Sequence, residues 1–366
     1  MADANDFQFM ARACRLAERG LYTTDPNPRV GCVLVKNGKV VGEGWHERAG
    51  EPHAEIIALR QAGEEANDSV AYISLEPCCH HGKTPPCSNA LIEAGVSRVV
   101  IGMEDPNPKV AGKGISQLRD AGIEVETGVL TVLAEALNPG FIQRMQLGRP
   151  YVRCKIAMSL DGRTAMASGE SQWITGEAAR QDAHRLRARS SAIITGIGTV
   201  ASDNPSMNVR LEEEEIMQPL RVVLDSQLTI NNDAKIIGLP GKTIVCTTSK
   251  DENKINAIRV SGAEVVSLAE QDGKVSLSSL MEYLSEQQAN EVLLEAGAIL
   301  CGAFIQAGLV DELVIYMAPT LLGDNARGLF SLPGLEKMDD RVNLDIIDLK
   351  AVGSDWRITA KIQPKR

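Results

Sequence analysis

Residues 75–87 read Leu-Glu-Pro-Cys-Cys-His-His-Gly-Lys-Thr-Pro-Pro-Cys, and upstream of them stands His53-Ala54-Glu55. His53, Cys78 and Cys87 offer one imidazole and two thiolates. That soft three-ligand set suits one zinc ion per chain and leaves a fourth position for water. Glu55 stands two residues from His53; a carboxylate beside a metal but not on it can take a proton from water and deliver it elsewhere. The ligands also fall at element ends. VAYISL (70–75) reads as a buried strand, so Pro77-Cys78 follows a strand end, and a helix runs from near His53 to Gly63. Cys87 opens a second helix, CSNALIEAG, where the N-terminal dipole favours a thiolate. Three ligands at the ends of neighbouring elements can converge on one sheet edge. A structural zinc site stays open as an alternative, with Cys79, His80 or His81 as fourth ligand, and Cys79 could replace Cys78.

Working outward, residues 6–19 read as a helix capped by Asp6 and closed by Gly20. VGCVLV and VVGEGW flank Lys36-Asn37-Gly38-Lys39, a strong hairpin signal. Strand and helix then alternate: SRVVIGM (97–103), ISQLRDAG (115–122), IEVETGV (123–129). This order argues for a layered α/β domain. Residues 137–151, with Gly and Pro at both ends, read as a connector. Beyond it strands resume at VRCKIAMS and recur at 191–197, 221–225, 242–248, 264–268, 291–297, 313–322, 344–353 and 356–363, with helices including 177–190 and 300–308. The run Glu212–Glu215 reads as a solvated loop. Two α/β domains fit a chain of 366 residues.

Composition narrows the function classes. The chain carries 38 Lys and Arg against 48 Asp and Glu, a formal charge of -10, with 4% aromatic residues. An acidic chain without a basic stripe and with few stacking platforms is a poor partner for nucleic acid. No stretch reaches the length of apolar residues that spans a bilayer, and the N-terminus lacks a basic start followed by an apolar run. A cytoplasmic location is expected, where clustered cysteines mean metal or catalysis more often than disulfides. Cys14, Cys32, Cys154, Cys246 and Cys301 stand singly among apolar neighbours and read as buried thiols.

The second half has two glycine elements. Gly196-Ile197-Gly198-Thr199-Val200-Ala201 fits G-x-G-x-x-[GA], but Asp203-Asn204-Pro205 breaks the chain where a Rossmann helix should run on. A ligand-binding turn remains. Glu295-Ala296-Gly297 through Gly302-Ala303 resembles the start of a Walker loop, yet Ala303-Phe304 stands where Lys-Ser/Thr is required, which argues against ATP. A glycine turn entering a helix can still present N–H groups to a pyrophosphate, and close helix–sheet packing is the competing explanation.

H-x-E followed by P-C-x-x-C marks zinc nucleobase deaminases; here eight residues separate Cys78 from Cys87. With Asn27-Pro28-x-Val30-Gly31, Gly44-Trp45-His46, His53-Ala54-Glu55 and the segment Glu76 to Cys87, the first half resembles the deaminase half of the bifunctional riboflavin-biosynthesis deaminase–reductases. Lys155-x-Ala157-x-Ser159-Leu160-Asp161-Gly162, Ser171-Gln172-Trp173-Ile174-Thr175, Gly196-x-Gly198-Thr199 and Asp203-Asn204-Pro205 resemble the reductase half. The resemblance implies a cytidine-deaminase-like three-layer domain over residues 1–147 and a dihydrofolate-reductase-like α/β domain over 148–366. It implies deamination of a phosphorylated diaminopyrimidine, then NADPH-dependent reduction of its ribosyl chain, with Glu55 catalytic. It places Asn27, His46, His80 and Lys83 on the first substrate, and Lys155, Ser171, Arg187, Met207, Arg210 and Glu295 on the second. Ala157, Trp173, Thr199, Asp203, Ser226, Gly297, Ala298, Ile299, Leu300, Cys301, Gly302 and Ala303 would line the NADPH. Arg187 and Arg210 suit a phosphate, Lys155 or Glu295 could move the proton of reduction, and a homo-oligomer is expected. Two rivals stay open: a nucleic-acid deaminase with an accessory domain, and a C-terminal half that only senses a nucleotide.

Overall fold

Side chains alternate across two separate sheets, so each sheet carries an apolar core on both faces. A computed structural model describes residues 2–79, 86–211 and 216–363. The chain divides into two compact units, Met1–Arg149 and Pro150–Arg366.

The first unit holds a five-stranded sheet in the order Lys39–Trp45, Gly31–Lys36, Val70–Ile73, Arg98–Ile101, Glu124–Thr127. The first three strands pair antiparallel and the last pairs are parallel. Asn37 and Gly38 both take positive φ, 50° and 73°, as a two-residue hairpin turn requires. Helices Ala54–Ala62, Cys87–Glu93 and Lys113–Asp120 cover one face, and Ala4–Glu18 and Thr131–Leu137 the other. The first helix starts earlier than its sequence suggests. Asp3 is its cap, and Asp6 closes the box by accepting the Asp3 N–H at 3.0 Å. Asp6 is spent inside instead: it pairs with Arg98 at 2.8 Å and takes the Tyr72 hydroxyl at 3.0 Å. The segment read as a connector is largely helix, Pro139–Leu147. Its Pro sits in the first turn, where no N–H is needed, and Gly148 closes it in the left-handed region.

The main sheet of the second unit has nine strands, in the order Glu264–Ser267, Thr243–Thr247, Leu220–Leu224, Ala192–Gly196, Glu291–Leu294, Tyr151–Ser159, Glu312–Ala318, Asp355–Ile362, Leu344–Val352, and two short two-stranded ribbons stand beside it. The first seven run parallel, and the last two turn antiparallel. Gly196-Ile197 does open a helix, but a short one, Ile197–Asp203, ended by Asn204 at φ 41°. Among the described residues no helix is long and apolar enough to cross a membrane. The run Glu212–Glu215 lies outside the described residues.

One packing contact fixes where the first unit's ligands stand. Ala54, Ala58 and Ala62 line the inner face of their helix, and a Cβ added at Gly42 would lie 2.2 Å from the Ala58 carbonyl oxygen. Only a bare backbone lets the helix carrying Glu55 come that close to the hairpin. We expect Gly42→Ala to cost the first unit about 1–3 kcal/mol by forced separation. Calorimetry checks this: the first unit's transition falls and the second unit's stays.

Candidate functional site

His53 is the N-cap of helix Ala54–Ala62, and Cys87 is the first residue of helix Cys87–Glu93. Cys78 follows the strand Val70–Ile73 through Ser74–Pro77. Their ligand atoms all lie within 4.8 Å of one another. His53 Nδ1 stands 3.2 Å from Cys87 Sγ and 3.6 Å from Cys78 Sγ. The group takes Cys78 and not Cys79, which resolves the alternative between them. One imidazole nitrogen and two sulfurs at this spacing fit zinc. The Cys78 sulfur accepts from the Cys87 thiol, which holds Cys78 well below the ordinary thiol range and pushes Cys87 above it. A cation between the sulfurs would displace that proton.

Glu55 is 3% exposed, and burial pushes its carboxyl up to about 7 against the lowering pull of His53. His46 is buried behind His53, with ring centroids 5.3 Å apart and planes edge to face. Both its ring nitrogens have protein partners: Nδ1 lies 3.1 Å from the Pro52 carbonyl and Nε2 3.0 Å from the Asn27 amide. Accepting from Asn27 and donating to Pro52 suits the neutral ring, and burial lowers its pKa accordingly. His46 thus stands hydrogen-bonded between Asn27 and Pro52. His80, His81 and Lys83 lie outside the described residues.

The second unit opens a cleft of about 2000 Å³ along the carboxyl ends of its parallel strands, the usual place for a ligand in an open α/β sheet. Lys155, Ser171, Arg187, Met207, Arg210 and Glu295 line it. So do Ala157, Trp173, Thr199, Asp203 and Ser226, together with Gly297, Ala298, Ile299, Leu300 and Ala303. Trp173 is 69% exposed with the Arg180 guanidinium 4.9 Å from its ring, so it is no core residue. Cys301 and Gly302 face away. The Cys301 thiol is fully buried and donates to the Ala296 carbonyl at 3.3 Å, and a Cβ at Gly302 would lie 2.0 Å from Ser331 O. One side of a helix cannot line both the cleft and the core.

The cleft floor is an ion cluster. Arg187 grips Glu295 with two bonds, Nε–Oε1 2.6 Å and Nη2–Oε2 2.9 Å, and donates to the Asn208 carbonyl at 3.1 Å. Lys155 Nζ lies 3.6 Å from the same carboxylate. Burial opposes ionisation of Glu295, yet Arg187 and Lys155 hold it at about 2. It stands as the shared counter-charge of both cations. Arg187 is largely committed to it, leaving Arg210, exposed, as the more available guanidinium. Sequence reading missed His184, which shares the cleft wall with Arg180 and Arg187 on helix Glu177–Ala188. The polar spacing of that helix carried the signal. Its Nδ1 accepts the Arg210 N–H at 3.3 Å, and burial and then Arg187 lower its pKa to about 4. The helix Ala298–Gln306 begins at Gly297 without a side-chain cap, and a Cβ there would meet only open space. Its first N–H groups are free to receive an anion.

Residues 150–358 match the RibD C-terminal domain family, and residues 3–103 match the cytidine and deoxycytidylate deaminase zinc-binding region. The chain is 50% identical over 361 residues to the riboflavin biosynthesis protein RibD of Escherichia coli strain K12, covering 96% of this chain and 97% of that one. It is similar to the solved structure of Acinetobacter baumannii RibD, form 1, at TM-score 0.92 and 46% identity over 98% and 99% of the two chains. A diaminohydroxyphosphoribosylaminopyrimidine deaminase/5-amino-6-(5-phosphoribosylamino)uracil reductase from Thermotoga maritima superposes at TM-score 0.87 with 32% identity over the same shares.

Removing the carboxylate charge tests the ion cluster. Glu295→Gln leaves Arg187 buried beside a neutral amide, and we expect a loss of about 3–5 kcal/mol from the second unit. The pH dependence has a defined sign. Glu295 has a folded pKa of about 2 below an unfolded value near ~4.3, so its contribution is complete above about pH 5 and fades as pH falls toward 2. Acid titration of the variant's unfolding should lack that part of the wild-type slope.

Proposed function

The chain belongs to the RibD family of riboflavin-biosynthesis deaminase–reductases, and from that membership we propose the division of its chemistry. The first unit hydrolyses the exocyclic amine of 2,5-diamino-6-(ribosylamino)pyrimidin-4-one 5′-phosphate. The second reduces the ribosyl chain of the product to ribityl with NADPH. The observation that carries the reading is the convergence of His53, Cys78 and Cys87 beside a buried carboxyl that is not part of the ligand group.

His53, Cys78 and Cys87 would hold the metal, and zinc bound there supplies the Lewis acidity that makes water a nucleophile near pH 7. The protein's own part is proton transfer and positioning. Glu55, whose carboxyl burial raises to about 7, in its ionised form takes one proton from water and delivers it to the departing nitrogen. The carbon–oxygen bond forms, the carbon–nitrogen bond breaks, the oxygen's remaining proton passes to the ring nitrogen, and ammonia leaves. Asn27, bonded to His46, and His80 and Lys83 from the sequence between the two cysteines hold the pyrimidine and its phosphate.

In the second unit the cofactor supplies the hydride. The uncapped helix start at Gly297 supports a pyrophosphate there, and Ala157, Trp173, Thr199, Asp203 and Ser226 complete the cofactor wall. Cleft volume and uncapped amides fit a dinucleotide. The sugar ring opens to an imine, hydride reaches its first carbon, and the nitrogen gains a proton. Lys155 remains the group in reach for that proton once Glu295 is committed as an anion. Arg210 and His184, side by side in the cleft, would hold the phosphate.

We also place the chain in the cytoplasm as a homo-oligomer. Eight free cysteines support a reducing compartment. The outermost strand Leu344–Val352 exposes Leu344, Ile346, Ile347 and Leu349 beside Trp356. An apolar sheet edge of that kind supports pairing with a second copy; light scattering should find Ile346→Lys reduced to the monomer mass. For the chemistry, Glu55→Gln should retain zinc and lose ammonia release by about 10²–10⁴-fold, while the same chain still oxidises NADPH on supplied deaminated substrate. Separate assays of ammonia and the nicotinamide band decide it, and loss of both activities together would sink the two-site reading.

A further inference from the structure

Glu76 stands two residues before Cys78 and is 3% exposed. Its carboxylate accepts four backbone N–H groups from one later segment. Oε2 takes those of Asp105 at 3.1 Å and Gly112 at 3.0 Å; Oε1 takes those of Gly114 at 2.9 Å and Ile115 at 3.1 Å. Gly114 and Ile115 are the second and third residues of helix Lys113–Asp120, the positions a local cap side chain ordinarily serves. Gly112, the N-cap, has no side chain to do so. The cap is supplied by a residue from the metal-ligand segment instead.

The same helix then reaches both sulfur ligands. At its N-terminus a Cβ on Gly114 would lie 2.2 Å from the Pro77 carbonyl oxygen, so helix and ligand segment are in direct backbone contact. One turn on, Gln117 Oε1 accepts the Ser88 hydroxyl at 2.6 Å. Ser88 directly follows Cys87; its N–H donates to the Cys78 carbonyl at 3.2 Å, and its hydroxyl, which gives its one proton to Gln117, lies 3.1 Å from the same carbonyl. Cys78 and Cys87 are thus tied to one rigid element from two sides.

We infer that Glu76 is a positioning residue for the deamination: by capping helix Lys113–Asp120 it fixes the spacing of the Cys78 and Cys87 sulfurs, and with it the geometry of the metal site. The inference rests on the proposed deaminase role of the first unit. A ligand pair held by outer hydrogen bonds binds metal more tightly and in one geometry; loss of such a partner costs about 10–100-fold in metal affinity.

The test compares full-length wild type with Glu76→Gln, in which one accepting oxygen becomes an amide that turns hydrogens toward two N–H groups. Three readouts are taken: zinc release to a competing chelator, the absorption spectrum of the cobalt-substituted chain, and kcat and KM for ammonia release. Positioning predicts zinc affinity weakened ~10–100-fold, thiolate-to-cobalt bands shifted and weakened, and a fall in kcat with little change in KM. NADPH oxidation on deaminated substrate is unchanged. A folded Glu76→Gln chain with wild-type zinc release and cobalt spectrum overturns the inference, even where its melting temperature falls. Should circular dichroism find that variant unfolded, Glu76→Asp decides. It keeps the charge and withdraws it by one carbon, and it must show the same metal changes in smaller measure or the inference fails. Absence of ammonia release from zinc-loaded wild type would defeat the deaminase reading, while the metal readouts would still judge Glu76.

Discussion

A helix leaves its first amide N–H groups without partners inside the helix, and both units put such ends at the carboxyl edge of a sheet. What answers those groups decides what each edge does. In the first unit the helix Lys113–Asp120 receives the Glu76 carboxylate, and the edge becomes rigid. In the second, the helix Ala298–Gln306 begins at a glycine with open space beside it, and the edge stays available to a ligand. One constraint is met from inside the protein in one case and left for a bound anion in the other. The first suits metal ligands, which must stand at fixed spacing; the second suits a ligand that must enter and leave.

Much of this was legible in the sequence because its chemistry is local. His53-Ala54-Glu55 and Pro77-Cys78 declare themselves by residue type and by their places at element ends, and the structure brings the three ligands together. The alternation of strands and helices carried the α/β character of both halves. The connector at 137–151 misled because Pro and Gly punctuate helices as readily as loops; Pro139 and Gly148 mark the start and stop of one. Asp6 misled in the same way. Two acids near a helix start can exchange roles, and burial against Arg98 and Tyr72 decided which became the cap.

What stayed hidden depended on partners distant in the chain. Glu76 sits inside the metal motif, yet its four partners come from residues 105–115 and no spacing rule announces them. Glu295 and Lys155 both looked able to move a proton. Contacts with Arg187 and Lys155, distant in the chain from Glu295, hold its carboxyl on the ionised side. Cys301 and Gly302 belong to the right helix, but its inner side was invisible until the helix was rotated into place.

The overall charge of -10 and the phosphate chemistry are compatible on physical grounds. Gripping a duplex needs a stripe of cations matched to a long row of phosphates, because its affinity comes from many released counterions. A single phosphate needs two or three donors held in place. Arg210 and His184 stand together in the cleft, where Lys155 and Arg187 face one carboxylate. Glu295 does more than balance charge in this arrangement. Without it Arg187 would be a buried cation without a counter-charge; with it the guanidinium is fixed in plane, and the excess positive charge is left on the side that opens to the ligand. A local field of that kind is matched to one small anion and needs no excess of positive charge over the whole chain.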